Sequence, residues 1–242
     1  PRLRMIAGPN GSGKSTIKAL LPPEILGVYV NPDEIEASIE KNGAVDLQPY
    51  EISCTTADVV SHMGRSTLWS STGLPSPEGH VLVENTLLKF SHVPRASYLA
   101  SLTADFIRHK LLDAGISFTF ETVMSHAGKL ALFHEAQQRG YRTYLYYIAT
   151  EDPEINIARV RTRVKSGGHA VPPEKITERY YRSLGLLREA IRATNRAYIF
   201  DNSRDGTDSI HIAEVTDGSE ITICHDPLPA WFVEHVWKHA KT

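Results

Sequence analysis

Short apolar runs alternate along the chain with stretches whose apolar residues recur every three or four positions, as expected for strands alternating with amphipathic helices. The predicted strands are 3–7, 28–31, 116–120, 142–149 and 197–200. The predicted helices are one that ends at Leu21, one from Phe106 to Ala114, one over 129–138, one that starts after Asp152, and one entered through Pro172-Pro173. The last helix has the clearest apolar face, formed by Ile176, Tyr180, Leu184, Leu187 and Ile191. This alternation predicts an α/β fold with a mostly parallel, five-stranded sheet covered by helices on both faces.

Two segments depart from this alternation. Within residues 43–103, the stretch 70–80 is rich in turn formers and is followed by strand-like runs at 81–83 and 86–88. Residues 43–103 are interpreted as an insertion between the second and third strands. Residues 209–224 alternate around Asp217-Gly218, which predicts a β-hairpin, and Trp231 to His239 predicts a short final helix. Loops at the carboxyl ends of parallel strands line the ligand crevice, so the insertion either contacts a substrate or is a peripheral elaboration.

We therefore expect a single domain with an interrupted core. Its core comprises residues 1–41 and 104–203, its insertion covers about 43–103, and its C-terminal hairpin and helix cover about 207–242. A chain of 242 residues suits one well-packed α/β domain better than two.

Composition narrows the class of protein. With 41% hydrophobic and 22% charged residues the chain is globular, and its 26 basic and 28 acidic residues nearly cancel, which argues against nucleic acid as a partner. Cys54 and Cys224 are far apart and lack metal-ligand neighbours, so neither a disulfide framework nor a zinc site is predicted from them. No signal peptide or apolar run long enough to span a membrane is recognised, and we expect a cytoplasmic protein.

The strongest chemical signal is a phosphate-binding loop. Residues 8–15 match GxxxxGK[ST] in full, directly after a predicted strand and before a predicted helix. In such a loop backbone N–H groups bind phosphate oxygens, Lys14 reaches the β- and γ-phosphates, and the Ser15 hydroxyl ligates Mg²⁺. A chance match on a tight glycine turn is the alternative. The predicted nucleotide-binding residues are Gly8, Pro9, Asn10, Gly11, Ser12, Gly13, Lys14, Ser15 and Thr16.

Missing motifs narrow the class of nucleotide-binding protein. The chain has neither an LSGGQ-like string nor an NKxD string, and no strand of four apolar residues followed by Asp. The sequence therefore favours a P-loop fold of the nucleotide-kinase type, in which phosphoryl transfer depends on positioning and charge neutralisation.

Acidic and polar residues end two of the predicted strands. Asp33 follows the second strand, where a carboxylate could accept the proton of an acceptor hydroxyl; an N-cap role for a helix beginning at Glu34 is the alternative. Asn31 either contacts the same region or forms a turn. Glu121 ends the third strand, which should neighbour the first, so it either meets Mg²⁺ or substrate or is a solvated strand end.

Basic residues cluster further along the chain. Arg159, Arg161, Arg163 and Lys165 precede Gly167-Gly168-His169, and Arg179 and Arg182 share a face of the following helix. Arginines beside a glycine hinge suit a lid that closes over a transferring phosphate, whereas a solvated basic face is the alternative. His169 is the one histidine that we mark as a metal ligand candidate.

Taken in order, several strings resemble the zeta-toxin superfamily of P-loop kinases. They are the loop string 7–16, Asn31-Pro32-Asp33-Glu34-Ile35, Phe120-Glu121-Thr122, Arg163-Val164 with Gly167-Gly168-His169 and Val171-Pro172, Ile176 with Arg179-Tyr180 and Arg182-Ser183, and Asp201-Asn202-Ser203. The resemblance spans residues 1–41 and 104–203, and it leaves out the insertion and the C-terminal hairpin and helix.

The resemblance implies an activity, cofactors and roles. Zeta toxins phosphorylate the sugar of UDP-N-acetylglucosamine with ATP and Mg²⁺ and are blocked by an antitoxin. By resemblance, Asp33 is the base, Lys14, Arg163 and Arg179 assist catalysis, and Ser15 and Glu121 hold the metal. The residues assigned to the acceptor are Asn31, Asp33, Glu121, Thr122 and Arg182. Where the family has its second lid arginine this chain has Gly168-His169, so either Arg179 or Arg182 substitutes or the lid works differently.

The sequence thus predicts an ATP-dependent kinase that phosphorylates a hydroxyl of a small acceptor, first of all a UDP-activated sugar, with an antitoxin as an expected partner. A nucleoside or polynucleotide kinase is the alternative among enzymes. A non-catalytic ATP-dependent switch is the alternative outside them.

Overall fold

The computed structural model describes residues 1–168, 170–204, 206 and 208–239. The strands are β1 (Arg2–Ala7), β2 (Val28–Val30), β3 (Ala44–Asp46), β4 (Val81–Glu84), β5 (Leu87–Phe90), β6 (Phe118–Thr122), β7 (Arg142–Ala149), β8 (Arg196–Asp201), β9 (Ile210–Thr216) and β10 (Glu220–Ile223). The helices are α1 (Lys14–Leu20), α2 (Pro23–Leu26), α3 (Pro32–Asn42), α4 (Thr56–Gly64), α5 (Ala96–Asp113), α6 (Ala131–Gln138), α7 (Pro153–Lys165), α8 (Pro173–Arg192) and α9 (Ala230–His235). The chain divides into two compact units, one of Pro1–Leu26 with Glu121–Thr242 and one of Gly27–Phe120.

The first unit is built on a mostly parallel sheet. Its strand order is β10-β9-β8-β7-β1-β6, in which β1 pairs in parallel with β7 and β7 in parallel with β8. Residues 145–149 of β7 are all buried, as expected for a parallel strand with both faces covered. The predicted fold class is confirmed.

The C-terminal hairpin belongs to this sheet rather than lying apart from it. β9 pairs antiparallel with β8 and β10 pairs antiparallel with β9, so the hairpin adds two strands to the parallel ones. Strand alternation and the turn at Asp217-Gly218 predict the hairpin, but pairing with β8 depends on a partner that local pattern does not reveal.

Helices α7 and α8 pack against each other in the first unit. Asp152 caps α7, and its side chain accepts a hydrogen bond from the Glu154 N–H at 2.8 Å. The predicted apolar face of α8 is buried throughout, and Ile176 packs against Ile157 and Val160 of α7. The spacing of apolar residues therefore determines which face of α8 packs inward.

The second unit combines helices α3, α4 and α5 with a small antiparallel sheet. The sheet has the order β3-β5-β4, and β2 pairs in parallel with residues 118–120 of β6. Helix α5 begins at Ala96 rather than at the predicted Phe106, because its first two turns bury small and polar side chains such as Ala100 and Thr103. Strand-like runs at 81–83 and 86–88 become the hairpin of β4 and β5.

In the part of the chain that the structure describes, no helix is both long and apolar enough to cross a membrane.

Candidate nucleotide-binding site

The glycine loop occupies the turn from β1 into α1, as predicted from the sequence. Gly8, Gly11 and Gly13 all have positive φ angles, of 151°, 77° and 103°. Gly13 immediately precedes α1, so the loop delivers the helix N-terminus and its unpaired N–H groups to one place. This arrangement favours an anion such as a phosphate.

Gly13 is in close contact with Asn202. A Cβ atom at this position would lie 2.1 Å from Nδ2 of Asn202, so the Asn202 side chain would have to move away from the loop. The same Asn202 amide donates a hydrogen bond to the Ser12 carbonyl oxygen at 2.8 Å. Asn202 therefore lies directly against the loop and holds its backbone.

Lys14 is folded back over the loop. Its Nζ donates hydrogen bonds to the carbonyl oxygens of Gly8 at 3.0 Å and Pro9 at 3.1 Å. Ser15 and Thr16 lie in the first turn of α1 with exposed side chains. The ammonium group and two hydroxyl groups are thus at the loop, where the sequence predicts phosphate and metal binding.

Two residues hold Asn10 at the tip of the loop. Arg179 of α8 donates from Nη1 to Oδ1 of Asn10 at 3.3 Å, and Asn156 of α7 donates from Nδ2 to the Asn10 carbonyl oxygen at 2.6 Å. Arg179 is therefore brought to the loop, 169 residues away in the chain.

Asn156 is a site residue that the sequence analysis missed. It is fully buried, and its Oδ1 also accepts a hydrogen bond from the Thr150 hydroxyl. A Cβ atom on Gly11 would lie 2.6 Å from the Asn156 carbonyl oxygen, so α7 packs closely on the loop. The sequence feature that could have indicated Asn156 is its position in the first turn of a helix that begins shortly after a strand ends.

The turn after β8 completes the support of the loop. Asn202 donates its N–H to the Ala149 carbonyl oxygen at 2.8 Å, and Asp201 accepts hydrogen bonds from Ser203 and from Nε1 of Trp231. Arg159 donates from Nη1 to the Asn202 carbonyl oxygen at 2.7 Å. This contact binds Arg159 to the turn, whereas the sequence suggested a lid or a solvated face.

The end of β6 contacts the start of the loop. The Gly8 N–H donates to the Thr122 carbonyl oxygen at 3.3 Å, and the Thr122 hydroxyl accepts from the Met124 N–H at 3.0 Å. Glu121 is half-buried and lies at the end of β6, as predicted, with Thr122 as the last residue of the strand. Thr122 therefore supports the loop through its backbone.

The remaining basic residues of the predicted site are more exposed. Arg163 lies in the last turn of α7, and its carbonyl oxygen accepts a hydrogen bond from Gly168 at 3.0 Å. Arg182 forms an ion pair with Glu178, 2.7 Å between Nη2 and Oε1, on the surface of α8. His169 lies outside the described residues.

In the second unit, α3 begins at Pro32, two residues before the start at Glu34 that an N-cap role for Asp33 would require. Asn31 is the N-cap and accepts a hydrogen bond from the Asp33 N–H at 3.0 Å, while Pro32 is the first helical residue. Asp33 therefore does not cap a helix that begins at Glu34. Its side chain is exposed, and Asn31 Nδ2 instead donates to Glu34 at 3.2 Å.

Two buried tyrosines stabilise the strand ends behind the loop. Tyr180 donates from its hydroxyl to the Thr150 carbonyl oxygen at 2.6 Å, and the Tyr147 and Ser183 hydroxyls lie 3.1 Å apart. Burial raises the pKa of both phenols well above its usual range, so both stay neutral and can donate.

The chain is similar in fold to two solved structures of one complex. A crystal structure of the AvrRxo1-ORF1:AvrRxo1-ORF2 complex with sulphate ions has a TM-score of 0.54 and 17% identity, and the match covers 92% of this chain and 60% of that one. The AvrRxo1-ORF1:-ORF2 complex with ATP has a TM-score of 0.52 and 15% identity, with the same coverage. Both show that the chain shares their fold over somewhat less than two thirds of their length.

One curated relative is an uncharacterized protein of Haemophilus influenzae (strain ATCC 51907 / DSM 11121 / KW20 / Rd). It is 33% identical over 72 residues, which are 30% of this chain and 51% of that protein, so the match covers about half of the relative's length. The zeta toxin family profile matches residues 91–213, which are 123 of the 242 residues and just over half of the chain. With a profile match of this extent and a mostly parallel sheet that carries the glycine loop, the chain belongs to the zeta toxin family.

Proposed function

We propose that this chain is an ATP-dependent kinase that transfers the γ-phosphoryl group to a hydroxyl of a small acceptor, and that the acceptor is a UDP-activated sugar such as UDP-N-acetylglucosamine. The observation that carries the proposal is the complete loop between β1 and α1, with Lys14 folded over it and Arg179 hydrogen-bonded to Asn10. Membership of the zeta toxin family and the ATP complex of AvrRxo1-ORF1:-ORF2 support ATP as the donor.

The reaction is a displacement at phosphorus. The acceptor oxygen forms a bond to the γ-phosphorus, the bond from that phosphorus to the β–γ bridging oxygen breaks, and ADP leaves with the electron pair. The hydroxyl proton passes to the Asp33 carboxylate, the base that we propose. The exposure of Asp33 and the capping of α3 by Asn31 support this role, because the carboxylate is not needed as the helix cap.

Charge neutralisation is the second requirement. Negative charge on the transferring group is stabilised by donors already positioned before the reaction, and Lys14 with the N-terminal N–H groups of α1 supply them. Arg179, and Arg163 at the end of α7, are proposed to add positive charge when the nucleotide is bound. Asn31, Glu121, Thr122 and Arg182 are proposed to contact the acceptor.

The donor set suits Mg²⁺ as the metal. Ser15 offers an exposed hydroxyl and Glu121 a half-buried carboxylate, and oxygen ligands of this kind are those that Mg²⁺ prefers. When bound, the ion neutralises charge on the β- and γ-phosphates. Ser15 and Glu121 are the residues proposed to hold it, directly or through water.

We also propose a protein partner that regulates the kinase. Family membership supports an antitoxin, and AvrRxo1-ORF1 is found in complex with AvrRxo1-ORF2. Co-purification of the chain with the product of a neighbouring gene would test this part alone.

The kinase proposal is tested by ATP consumption with Mg²⁺ against a panel of UDP-sugars, nucleosides and 5′-hydroxyl oligonucleotides. Lys14→Ala and Asp33→Asn should each lower transfer by about 10²- to 10⁴-fold. Lys18→Ala on α1 and Glu40→Gln on α3 are the matched controls, since they change charge on the same helices outside the proposed site, and should leave activity near wild type.

Different outcomes separate the parts of the proposal. Transfer to a nucleoside or an oligonucleotide instead of a UDP-sugar would replace the acceptor but keep the chemistry. ATP binding that Lys14→Ala abolishes, without transfer to any acceptor of the panel, would favour a nucleotide-dependent switch. Full transfer by Asp33→Asn would remove Asp33 as the base.

A further inference from the structure

Two histidines converge on one carboxylate in the second unit. Asp105 and His109 lie one turn apart on α5, and His62 approaches them from α4. Asp105 Oδ2 is 3.1 Å from Nε2 of His62 and 3.6 Å from Nδ1 of His109. None of these residues belongs to the predicted kinase site, and the kinase chemistry makes no use of them.

The spacing of these atoms matches that of ligands around a tetrahedral metal ion. Ions bound at about 2.0–2.1 Å by imidazole and carboxylate have neighbouring ligand atoms about 3.4 Å apart. The two distances measured to Asp105 Oδ2 lie on either side of this value, and one donor atom from each residue lies within 4.8 Å of the others. We propose that His62, Asp105 and His109 form a transition-metal site that joins α4 to α5.

Surrounding contacts hold the carboxylate in the orientation that the site needs. Nη2 of Arg108 donates to Asp105 Oδ1 at 2.7 Å, so the other oxygen, Oδ2, faces the two imidazoles. Arg108 is buried, and contacts of this kind around metal ligands orient them and tune their affinity.

Asp105 offers a carboxylate, and carboxyl groups of this type are ordinarily ionised at neutral pH, as a metal ligand must be. His109 Nδ1 now lies 2.8 Å from the Asp105 carbonyl oxygen, and metal binding would exchange this contact for the ion.

Beside the two histidines lies a cavity of about 330 Å³. Two acidic and two basic residues line it along with His62 and His109, so their formal charges cancel; they are Asp58, Asp113, Arg65 and Lys110. The lining of the cavity therefore has no net positive charge that would repel a divalent ion. The cavity also leaves room for a water molecule as the fourth ligand.

The ligand set indicates the kind of metal. Two imidazole nitrogens and one carboxylate oxygen suit Zn²⁺ and its neighbours in the first transition row, whereas Mg²⁺ prefers oxygen ligands. The site is thus chemically distinct from the Mg²⁺ site proposed at the glycine loop. It needs no nucleotide, so its test is independent of kinase activity.

The experiment is titration of the chelator-treated full chain with Zn²⁺ by calorimetry, and with Co²⁺ by visible absorption, which reports coordination geometry. We expect one site per chain in the wild type and in His134→Gln, a control that removes an exposed histidine from α6. Asp105→Asn, His62→Gln and His109→Gln should each raise the Kd for Zn²⁺ at least about 100-fold, because loss of a direct ligand costs more than loss of a supporting contact.

Thermal unfolding provides a second readout. Zn²⁺ should raise the Tm of the wild type and of His134→Gln, and should leave that of the three ligand variants unchanged. Circular dichroism verifies that each variant is folded, and if Asp105→Asn is not, the two histidine variants decide. No one-to-one binding in the wild type, or the same Kd in the folded ligand variants, would overturn the proposal and leave a hydrogen-bonded cluster.

Discussion

At the scale of single residues, Asn202 has the most direct influence on the glycine loop. Its amide holds the Ser12 carbonyl oxygen, and it occupies the space that a side chain at Gly13 would need. Asn202 therefore contacts both Ser12 and Gly13. Asn202 acts through the loop and is therefore a positioning residue.

We expect Asn202→Asp to weaken ATP binding. The substitution keeps the shape of the side chain, removes the Nδ2–H donor to Ser12, and adds a negative charge beside the phosphate-binding loop. Loss of one hydrogen bond of about 1–1.5 kcal/mol corresponds to a Kd for ATP raised by about 10-fold. The measurement is ATP binding by calorimetry.

Asn42→Asp is the control for Asn202→Asp, because it adds the same charge at an exposed position at the end of α3. An unchanged Kd for Asn202→Asp would show that the contact to Ser12 does not position the loop. A purely structural role would instead lower thermal stability and leave the Kd of the folded protein as it was.

At the scale of elements, α8 both holds the end of β7 and carries an arginine that reaches the glycine loop. Its two neighbouring tyrosines lie in different environments. Tyr180 is buried and hydrogen-bonded to the Thr150 carbonyl oxygen at the end of β7, whereas the next residue, Tyr181, is 58% exposed. One face of α8 therefore holds the strand end, and Arg179, beside Tyr180 in the chain, reaches the loop.

We expect Tyr180→Phe to lower the free energy of unfolding by about 1–2 kcal/mol, since a buried carbonyl oxygen loses its donor. Tyr181→Phe removes the same atom from an exposed ring and should change stability by less than about 0.5 kcal/mol. Urea unfolding of both variants measures the difference. Equal effects of the two substitutions would contradict the assigned hydrogen bond.

The helices and strands also show how much of the fold can be predicted from the local spacing of apolar residues. Apolar spacing predicts the buried face of α8, and short apolar runs predict all five strands of the parallel arrangement. Pattern fails at the start of α5, where small and polar residues such as Thr103 are buried by tertiary contacts. It fails also for β9, since pairing with β8 joins residues that no local signal connects.

For the site, the motif places residues 8–16 and family resemblance indicates Arg179. The contacts that Asn156 and Arg159 make with backbone carbonyl oxygens could not be predicted, because a carbonyl acceptor is present at every residue and leaves no residue-type signature. The cluster of His62, Asp105 and His109 could not be predicted either, because His62 is distant from the other two residues in the sequence. His62 is 43 residues before Asp105 in the chain, and only the packing of α4 on α5 joins them.

At the scale of the whole molecule, the two proposals place different ligands in different units. Ligands stabilise the parts of a protein that bind them, and amide exchange reports this locally. ATP should slow exchange in residues 10–16 and at the start of α7, and Zn²⁺ should slow exchange in α4 and around residue 105.

Mass spectrometry of exchanged peptides measures both effects in one protein. Lys14→Ala should remove the protection by ATP and keep that by Zn²⁺, and Asp105→Asn should do the reverse. Protection of 10–16 by Zn²⁺ in the absence of nucleotide would contradict a metal site confined to the second unit.

The first unit is formed by two separate segments of the chain, so its strands are synthesised at different times on the ribosome. β1 is synthesised before its neighbours β6 and β7, which begin at residues 118 and 142 and follow several seconds later at about 5–20 residues per second. Residues 27–120 form a contiguous unit whose synthesis is complete before β7 begins at residue 142. The glycine loop is thus synthesised well before Asn202, 190 residues later in the chain, supplies its contact to Ser12.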